Sequence, residues 1–321
     1  MLVQRVEELT GPSGVRTAEV AEPDGEGKVV VEVEAAGVAF PDLLRAKGLY
    51  QIKSDPPFVL GGEAAGTVRQ VPAGCDLREG QRVAVIDLGG TWQQVVAVDP
   101  GMALPLPGNV SAEVAAALPV NYLTCWFALR RRARARPGET VLVHGAAGGV
   151  GIAALDVCRA LGLPTIAVVS DDRKAAAARA AGATDVVLTG GWRSSVAELT
   201  GGRGVDIVVD PVGGDRFTDS LRSLSPEGRV LVIGFAAGDI PTVKVNRLLL
   251  GNTAVVGVAW GEFLRTHPGY AREQWDELAP LLAEGTLAPL PPVRHAFADA
   301  ASALRSLEDR TALGKIVLTM P

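Results

Sequence analysis

A glycine-rich stretch near the middle of the chain has residue types that could bind a phosphate group through the backbone. The apolar run 141–143 leads directly into glycines at positions 145, 148, 149 and 151. Apolar residues then recur in steps of three over positions 152–161, so residues 140–162 predict a strand, a tight turn and a helix. N–H groups at the start of such a helix attract a pyrophosphate, because the helix dipole favours anions there. An ordinary turn between strand and helix is the alternative, since the G-x-x-G-x-x-G spacing differs from the usual G-x-G-x-x-G.

Polar residues at the end of the next predicted strand, residues 165–169, bear on the choice of dinucleotide. The strand is followed by Ser170, Asp171, Asp172, Arg173 and Lys174. An acidic residue at this place binds the ribose hydroxyls of NAD, whereas a basic residue with small polar neighbours accepts the phosphate of NADP. Ser170 and Lys174 therefore favour NADPH over NADH. Asp171 either binds a ribose or caps the following helix together with Asp172, and Lys174 is alternatively a solvated helix residue.

The composition is that of a globular protein with room for two domains. The chain has 321 residues, 48% of them apolar, and a formal net charge of −5. Such a mildly acidic balance argues against nucleic acid or an anionic membrane as a partner. The arginine-rich run 130–136 is interpreted as a solvated helix end rather than a binding patch.

Cysteine usage and the lack of a targeting signal predict a cytoplasmic protein. The three cysteines, Cys75, Cys125 and Cys158, are odd in number and far apart, which favours reduced thiols. No pair has the C-x-x-C spacing of a zinc or redox site. The N-terminus lacks an apolar core of signal-peptide length, and no stretch of the sequence is long enough to span a bilayer.

The order of predicted elements indicates an α/β protein with a second, β-rich domain. Residues 1–120 contain short alternating runs, such as 81–88 and 92–98, which are broken by Pro and Gly and are typical of a compact barrel. From residue 140 onward, apolar strands alternate with helices, which predicts a doubly wound parallel sheet. The six candidate strands of this sheet are 140–145, 164–170, 185–189, 205–210, 229–234 and 253–259. The tail predicts helices over 269–283 and 297–308 and a last strand over 315–319.

Six stretches spread over nearly the whole chain form a recognisable set. They are GVAFPDLLRAKGLY (37–50), PFVLGGEAAGTV (57–68), LPVNYLTCWFAL (118–129), VLVHGAAGGVG (141–151), VDIVVDPVGG (205–214) and GRVLVIGFAAG (228–238). In this order they resemble the zinc-free quinone oxidoreductases of the medium-chain dehydrogenase/reductase superfamily, a group that includes zeta-crystallin. The resemblance implies a GroES-like catalytic domain from residues 1–121 and 260–321, and a Rossmann domain from residues 122–259. It also implies an active site in the cleft between them.

The residues that match zinc ligands in other members of this superfamily cannot bind a metal. Zinc-dependent members have a cysteine where this chain has Ala39, a histidine at Gly62 and a third ligand near Val120, and zinc needs Cys, His or carboxylate ligands. Glu63 cannot hold zinc alone and is expected to pair with a cation or a backbone amide. His144, between strand and turn, is interpreted as a packed core residue rather than a base.

The resemblance also assigns the cofactor contacts. The residues expected to hold NADPH are Ala147, Gly148, Gly149, Val150, Ser170, Lys174, Phe235 and Asn246. In this set Ser170 and Lys174 lie at the 2′-phosphate, and backbone groups around Phe235 hold the carboxamide. Asn246 reaches the cofactor in this interpretation, whereas a turn residue is the alternative. Gly190 stands where the family tends to have a Tyr near the adenine.

Two residues are expected at the reacting end of the cofactor. Tyr50 matches a Tyr of the active-site cleft and would donate a hydrogen bond to a developing oxyanion, and a packed loop Tyr is the alternative. Thr124 matches a Thr near the nicotinamide, and a helix Thr bonded to a carbonyl is the alternative. Asp42 also matches a family position and alternatively anchors its loop. Two family positions, an Asn and a second Tyr, are Ala39 and Leu44 here, which predicts a more apolar pocket.

The sequence therefore predicts a zinc-independent, NADPH-dependent reductase of quinones or related conjugated carbonyl compounds. One alternative is a 2-enoyl or enone reductase on the same scaffold, which adds a proton at the neighbouring carbon. Another is a catalytically weak NADPH-binding protein with a structural, crystallin-like role. A homodimer is expected by resemblance, with the apolar strand 253–260 pairing with its copy at the edge of the Rossmann sheet.

Overall fold

Two units make up the computed structural model, which describes residues 1–87 and 89–321. The first unit comprises Met1–Val120, His267–Gly285 and Pro291–Pro321, and the second comprises Asn121–Thr266 and Thr286–Leu290. The sequence analysis drew the first domain as 1–121 and 260–321. The structure instead groups Asn121 and residues 260–266 and 286–290 with the second unit.

Contacts inside the second unit explain this difference. The ring of Phe263 lies 5.0 Å from that of Phe127, so the stretch 260–266 packs against a helix of the second unit. The backbone N–H of Ala288 donates to both carboxylate oxygens of Asp156, at 3.2 and 3.0 Å. These two side-chain contacts could not be read from local sequence patterns.

The strands of the described residues are numbered in chain order. They are β1 (Leu2–Val6), β2 (Val15–Glu19), β3 (Val29–Val38), β4 (Phe58–Val59), β5 (Glu63–Gln70), β6 (Arg82–Ile86), β7 (Val95–Val98), β8 (Ala103–Pro105), β9 (Val141–Val143), β10 (Thr165–Val169), β11 (Asp185–Leu188), β12 (Val205–Asp210), β13 (Leu224–Val232), β14 (Ala254–Gly257), β15 (Val293–Ala296) and β16 (Ile316–Thr319). The strand predicted over 81–88 is thus β6, and its residue Leu88 lies outside the described residues.

The helices are numbered in the same way. They are α1 (Phe40–Ala46), α2 (Ala112–Ala115), α3 (Thr124–Trp126), α4 (Gly149–Ala160), α5 (Asp172–Ala180), α6 (Trp192–Leu199), α7 (Phe217–Arg222), α8 (Asn246–Gly251), α9 (Trp260–Thr266), α10 (Tyr270–Ala283) and α11 (Ala300–Glu308). Wider π-helical turns, Pro119–Leu123 and Phe127–Arg132, flank α3 on both sides. Within the part of the chain that the structure describes, no helix is long and apolar enough to cross a membrane.

The second unit is built on a six-stranded parallel sheet. Its strand order is β11-β10-β9-β12-β13-β14, so the chain runs outward from β9 in one direction and then returns to build the other half. This is the doubly wound order of a Rossmann sheet, and it confirms the predicted fold class. Ligands bind such sheets at the carboxyl ends of the strands, near the point where the order reverses. That point lies between β9 and β12.

Burial on both faces explains why the central strands could be predicted. Every residue of β9 and β10 is buried, which is why the sequence shows continuous apolar runs there rather than alternation. The prediction for β13 was less accurate, because the strand begins at Leu224 rather than at residue 229. The pairing with β12 shifts register between Val205 and Ile207, and Glu227 adopts a φ of +64° in the irregular stretch.

The first unit contains two sheets around one apolar core. A three-stranded sheet has the order β2-β1-β4, and a seven-stranded sheet has the order β15-β16-β3-β5-β6-β8 with β7 paired to β3. The C-terminal strand β16 runs antiparallel to β3, with Ile316 opposite Val38. Along β3, Val29, Val31 and Val33 are buried whereas Glu32 and Glu34 are exposed, as the alternation predicts.

A buried ion pair joins β5 to the residue just before β16. The Nζ atom of Lys315 lies 2.5 Å from Oε1 of Glu63, and the Glu63 side chain is fully buried. Its second oxygen, Oε2, accepts the backbone N–H of Val120 at 2.7 Å. Glu63 therefore pairs with both a cation and a backbone amide, which confirms the interpretation made from the sequence. The neighbouring Gly37 leaves no room for a side chain, since a Cβ there would lie 2.5 Å from Cγ of Glu63.

A second buried carboxylate, Asp42, anchors the loops beside α1. Its oxygens accept the backbone N–H groups of Ala39 at 2.8 Å and of Gly61 at 3.0 Å. This agrees with the loop-anchoring alternative of the sequence analysis. Burial raises the pKa of Asp42 to about 6, and the two backbone hydrogen bonds and the nearby Lys315 oppose that rise.

We expect Lys315→Met to lower the free energy of unfolding by about 3–5 kcal/mol, because it leaves the buried Glu63 charge without its cation. The double variant Glu63→Gln/Lys315→Met removes both charges, while the introduced glutamine can still accept the Val120 N–H. It should recover much of the loss. Urea unfolding of the single and double variants measures this coupling.

The exposed pair Lys28–Asp99, also 2.5 Å long, is the matched control. Lys28→Met should cost less than about 1 kcal/mol, because solvent screens a surface pair. Losses that simply add in the double variant would contradict a coupled buried pair at Glu63 and Lys315.

The raised pKa of Asp42 predicts a pH-dependent difference between the wild type and Asp42→Asn. Because the folded-state pKa lies above the usual value of 3.8, the contribution of Asp42 to stability is present at low pH and is lost as pH rises through about 6. Between about pH 4.5 and about pH 7.5, the wild type should lose about 2 kcal/mol relative to the variant. Unfolding curves with parallel pH profiles would show that Asp42 does not titrate in this range.

Candidate functional site

The turn between β9 and α4 is shaped by close backbone contact. Gly148 is the N-cap of α4, and Gly145 adopts a φ of +57°. A Cβ on Gly151 would lie 2.3 Å from the carbonyl oxygen of Gly145 and 2.5 Å from Cα of Ala146. Only glycine at position 151 therefore lets the first turn of α4 lie directly on the turn that follows β9.

This geometry makes the start of α4 a suitable anion site. The first N–H groups of a helix have no acceptor within it, and the dipole of the 12-residue α4 favours a negative charge there. Ala147 is buried, whereas Gly148, Gly149 and Val150 are half-buried. A Cβ on Gly148 would meet no neighbour closer than 3.4 Å, so one side of the turn is open to a ligand. The four predicted pyrophosphate residues thus lie together in one turn.

The end of β10 carries a second polar cluster beside this turn. The strand pairs directly with β9, and the N–H of Ala146 donates to the carbonyl of Val168 at 3.3 Å. The ammonium group of Lys174 donates to Oγ of Ser170 at 2.9 Å. Ser170 and Lys174 therefore present a hydroxyl and a positive charge together, which suits a phosphate ester.

Asp171 caps α5. Its Oδ1 accepts the backbone N–H of Lys174 at 2.9 Å, and its Oδ2 accepts the hydroxyl of Ser170 at 2.8 Å. These two hydrogen bonds hold the pKa of Asp171 below its usual range, so the group is a carboxylate. The capping alternative is thus the one that the structure contains, although Asp172 is the first residue of α5 rather than a second cap.

The loops after β12 and β13 are joined to each other by backbone hydrogen bonds. The N–H of Ala236 donates to Pro211 at 3.1 Å, and the N–H of Ala237 donates to Val212 at 2.9 Å. Phe235 lies against Gly213, where a Cβ would be 2.9 Å from Cδ1 of the ring. The predicted carboxamide residue Phe235 is therefore part of a wall at the carboxyl ends of β12 and β13.

Asp210 positions this wall and was not singled out from the sequence. Its Oδ1 accepts the N–H groups of Val212 and Gly213, both at 2.9 Å. Its Oδ2 is buried and has no hydrogen-bond partner within the described residues. Burial raises the pKa of Asp210 above its usual value. An acidic residue at the end of an otherwise apolar strand, just before Pro-Val-Gly-Gly, is the signal that could have identified it.

The remaining predicted residues lie at separate places. Thr124 is buried on α3, and the thiol of its neighbour Cys125 donates to the carbonyl of Val150 at 3.4 Å, so this helix packs against the first turn of α4. Asn246 is exposed and begins α8, which follows the loop after β13. Tyr50 is half-buried in the loop after α1 and belongs to the first unit.

His144 is a core residue, as the sequence analysis interpreted it. Its ring is fully buried, its Nε2 lies 2.9 Å from Oγ of Ser220, and Trp192 packs edge-on against it at 4.8 Å. Burial lowers the pKa of His144 to about 3, with the positive charge of Arg216 adding to the effect. The imidazole is therefore neutral at physiological pH.

The residues present do not fit a catalytic zinc ion. Ala39, Gly62 and Val120 have no ligating side chains, and the carboxylate of Glu63 is engaged by Lys315 and by the N–H of Val120. Over residues 1–87 and 89–321, no group of three or more His, Cys, Asp or Glu side chains comes together in a way that could hold a metal.

Two family models match the chain. A zinc-binding dehydrogenase model covers residues 149–284, and an alcohol dehydrogenase GroES-like domain model covers residues 25–108. The description of the first model names zinc, whereas the positions matched to zinc ligands hold Ala39, Gly62 and Val120 in this chain.

Known proteins resemble the chain over nearly its whole length. Quinone oxidoreductase-like protein 2 from Bos taurus is 36% identical over 300 residues, which cover 91% of this chain and 85% of the relative. A probable oxidoreductase from Mycobacterium abscessus is 44% identical, with a TM-score of 0.91 over 99% of this chain and 98% of that structure. Escherichia coli quinone oxidoreductase, solved in complex with NADPH, is 30% identical, with a TM-score of 0.90 over 99% of this chain and all of that one (100%).

Identity and coverage of this size establish common ancestry over both units rather than a shared nucleotide-binding half alone. The glycine turn, the strand order and the GroES-like segment agree with the same assignment. The chain thus belongs to the quinone oxidoreductase-like proteins of the medium-chain dehydrogenase/reductase superfamily, and it is an oxidoreductase.

Proposed function

We propose that the chain is an NADPH-dependent reductase of quinones and related conjugated carbonyl compounds that works without zinc. The observation that carries this proposal is the pairing of Lys174 with Ser170 at 2.9 Å, next to the glycine turn. A positive charge and a hydroxyl at the end of the second strand suit the 2′-phosphate that distinguishes NADPH from NADH. The NADPH complex of the Escherichia coli quinone oxidoreductase supports the same choice.

The residues of the second unit would share the work of holding the dinucleotide. N–H groups at Gly148, Gly149 and Val150 bind the pyrophosphate, and Ser170 and Lys174 bind the 2′-phosphate.

The reacting end of the dinucleotide would lie further along the same sheet edge. Backbone groups around Phe235 hold the carboxamide, while Thr124 and Asn246 line the nicotinamide end. When bound, the reduced nicotinamide supplies a hydride, whereas the protein supplies orientation and electrostatics.

The residue types at the substrate end favour a conjugated acceptor over a simple alcohol or ketone. The positions that would ligate zinc hold Ala39, Gly62 and Val120, so no side chain there can bring in a Lewis acid to polarise an isolated carbonyl. A quinone accepts hydride at an electron-poor carbon and places the developing charge on an oxygen. Tyr50 would then donate a hydrogen bond to that oxygen.

Two other functions stay open on the same scaffold. An enone or 2-enoyl reductase would also deliver a proton to the neighbouring carbon, from Tyr50 or from water, and would give a saturated product instead of a hydroquinone. A catalytically weak NADPH-binding protein would bind the cofactor without oxidising it. Product analysis over a panel of quinones and enones separates all three.

Assembly and location belong to this proposal as well. The homodimer would form through β14, one of the two edge strands of the six-stranded sheet, whose uncharged sequence leaves it able to pair with a further strand. The cytoplasmic location that the sequence predicts stays a prediction.

Lys174→Ala tests the phosphate contact. The variant should bind NADPH about 10- to 100-fold more weakly, because a charge-assisted contact contributes roughly 1.5–3 kcal/mol. Its NADH affinity should change less than about threefold, since NADH lacks the phosphate that Lys174 contacts. Fluorescence titration of both reduced cofactors measures the two effects. Arg179→Ala, which removes an exposed charge from the same helix, is the control; equal losses for both cofactors in Lys174→Ala would refute the assignment.

Tyr50→Phe tests the proposed hydrogen bond to the substrate oxygen. Loss of one donor to a developing oxyanion should lower kcat/KM for a quinone by about 10- to 100-fold, because a hydrogen bond to a charged group contributes roughly 1.5–3 kcal/mol. The dissociation constant of NADPH should stay the same, because Tyr50 is not among the cofactor contacts. Steady-state kinetics and a cofactor titration give both values, and an unchanged kcat/KM would identify Tyr50 as a packed loop residue.

A further inference from the structure

The most exposed large apolar side chains of the described residues lie in one short segment. Ile240, Val245, Leu249 and Leu250 are 73%, 74%, 76% and 82% exposed, whereas the other exposed large apolar side chains lie between 43% and 66%. Single exposed apolar residues are normal, but a cluster of this kind usually marks an interaction surface. Residues 240–250 are called the apolar segment below.

One face of the apolar segment packs against the second unit, and the other face is exposed to solvent. Val243 and Leu248 pack against the core of that unit, whereas Val245, Leu249 and Leu250 point to solvent. Most of these residues belong to or adjoin α8, which has only six residues. A helix of that length gains little stability by itself, so its position depends on what packs against it.

The open edge of the sheet lies next to the apolar segment. The edge strand β14 begins three residues after α8 ends, and residues 253–258 read TAVVGV, with neither a charge nor a proline. The opposite edge strand, β11, starts with the charged residue Asp185. Charges and prolines are the usual protection of an edge strand. On β14, one backbone group is covered by a side chain: the carbonyl of Gly257, the last residue of the strand, accepts a hydrogen bond from Arg132 at 2.9 Å.

A second copy of this chain is the occupant that fits both features. An edge strand offers a row of N–H and C=O groups that is complementary to the same strand running antiparallel. A two-fold axis beside β14 would therefore pair the two edges and bring both apolar segments to the same interface, because each segment directly precedes its strand.

The apolar segment also connects two of the proposed cofactor residues. Phe235 lies just before it against Gly213, and Asn246 lies within it as the first residue of α8. The loop between them is tied to the loop after β12, where the N–H of Gly214 donates to the carbonyl of Asp239 at 3.2 Å. Covering the exposed side of α8 therefore fixes the position of Asn246.

We propose that pairing with a second copy completes the nicotinamide end of the cofactor site, so that NADPH binds more tightly to the dimer than to the monomer. This inference rests on the proposed function, since it assumes that Phe235 and Asn246 face the nicotinamide. In the monomer, NADPH must also order the apolar segment, and that ordering weakens binding. The adenosine half of NADPH contacts Ser170 and Lys174, which lie on a different part of the sheet edge. The contribution of these contacts to binding therefore does not depend on dimer formation.

The double variant Leu249→Glu/Leu250→Glu tests the proposal, because four charges at a two-fold interface oppose pairing. Sedimentation velocity should show a dimer for the wild type and a monomer for the variant. The NADPH dissociation constant of the variant should rise at least about tenfold. That of adenosine 2′,5′-bisphosphate, a probe of the adenosine half, should change less than about twofold. Leu199→Glu, which charges another exposed leucine of the same unit, should alter none of these values.

A measurement on the wild type covers the case in which the variant fails to fold. Binding and assembly are reciprocal, and a dimer holds two sites, so saturating NADPH should strengthen dimerisation by the square of the factor by which dimerisation strengthens NADPH binding at each site. Adenosine 2′,5′-bisphosphate should leave the dimer dissociation constant unchanged.

Three results would overturn the inference while leaving the proposed function intact. They are a double variant that stays dimeric, a monomeric variant that binds NADPH as tightly as the wild type, and a monomeric wild type whose apolar segment binds phosphatidylcholine–phosphatidylserine vesicles. A dimeric wild type that binds neither NADPH nor the bisphosphate would instead refute the proposed function.

Discussion

The close approach of α4 to the turn after β9 is the constraint on which the candidate site depends. At position 151 a single added Cβ would overlap the carbonyl of Gly145, so the contact exists only with glycine. It places the positive end of α4 at the carboxyl edge of the sheet. Because β10 and β12 are the direct neighbours of β9, the same edge receives Ser170 from one side and the loop after Asp210 from the other. The phosphate, ribose and nicotinamide ends of a dinucleotide would thus be served by the connections that follow three adjacent strands of one parallel sheet, β10, β9 and β12.

Much of the second unit could be predicted because local physics determines it. Strands buried on both faces show as continuous apolar runs, and the glycines of the turn are needed for steric reasons that do not depend on distant residues. The start of β13 was missed, because its first part pairs through a register shift that no periodicity reveals. The role of Asp171 was also left open, since a carboxylate at the end of β10 is suited both to a ribose and to a helix cap. Only the hydrogen bonds to Ser170 and Lys174 decide between them.

The first unit shows where sequence patterns stop being informative. Lys315 and Glu63 are paired although most of the chain separates them, and neither residue has a neighbour in sequence that points to the other. The sequence analysis expected a cation or a backbone amide as the partner of Glu63, but nothing in the sequence identified Lys315 as that cation. Asp210 was missed for a related reason, since its function is to hold the N–H groups of its own loop. Buried polar groups of this kind are recognised by their partners rather than by their spacing.

The cap on α5 has an electrostatic consequence for cofactor choice. Asp171 and Lys174 carry opposite charges, with the carboxylate 3.8 Å from the ammonium group, so their fields partly cancel at the end of β10. Both oxygens of Asp171 already accept hydrogen bonds, and a ribose diol would have to compete for the lone pairs that are left. Lys174 has three N–H donors, of which one reaches Ser170, so it can add a phosphate oxygen without losing its present partner. The same arrangement therefore disfavours NADH, whose ribose diol needs acceptors at Asp171, and favours NADPH, whose phosphate needs donors at Lys174. The hydrogen-bonding groups that are still available decide this preference, and the net charge does not.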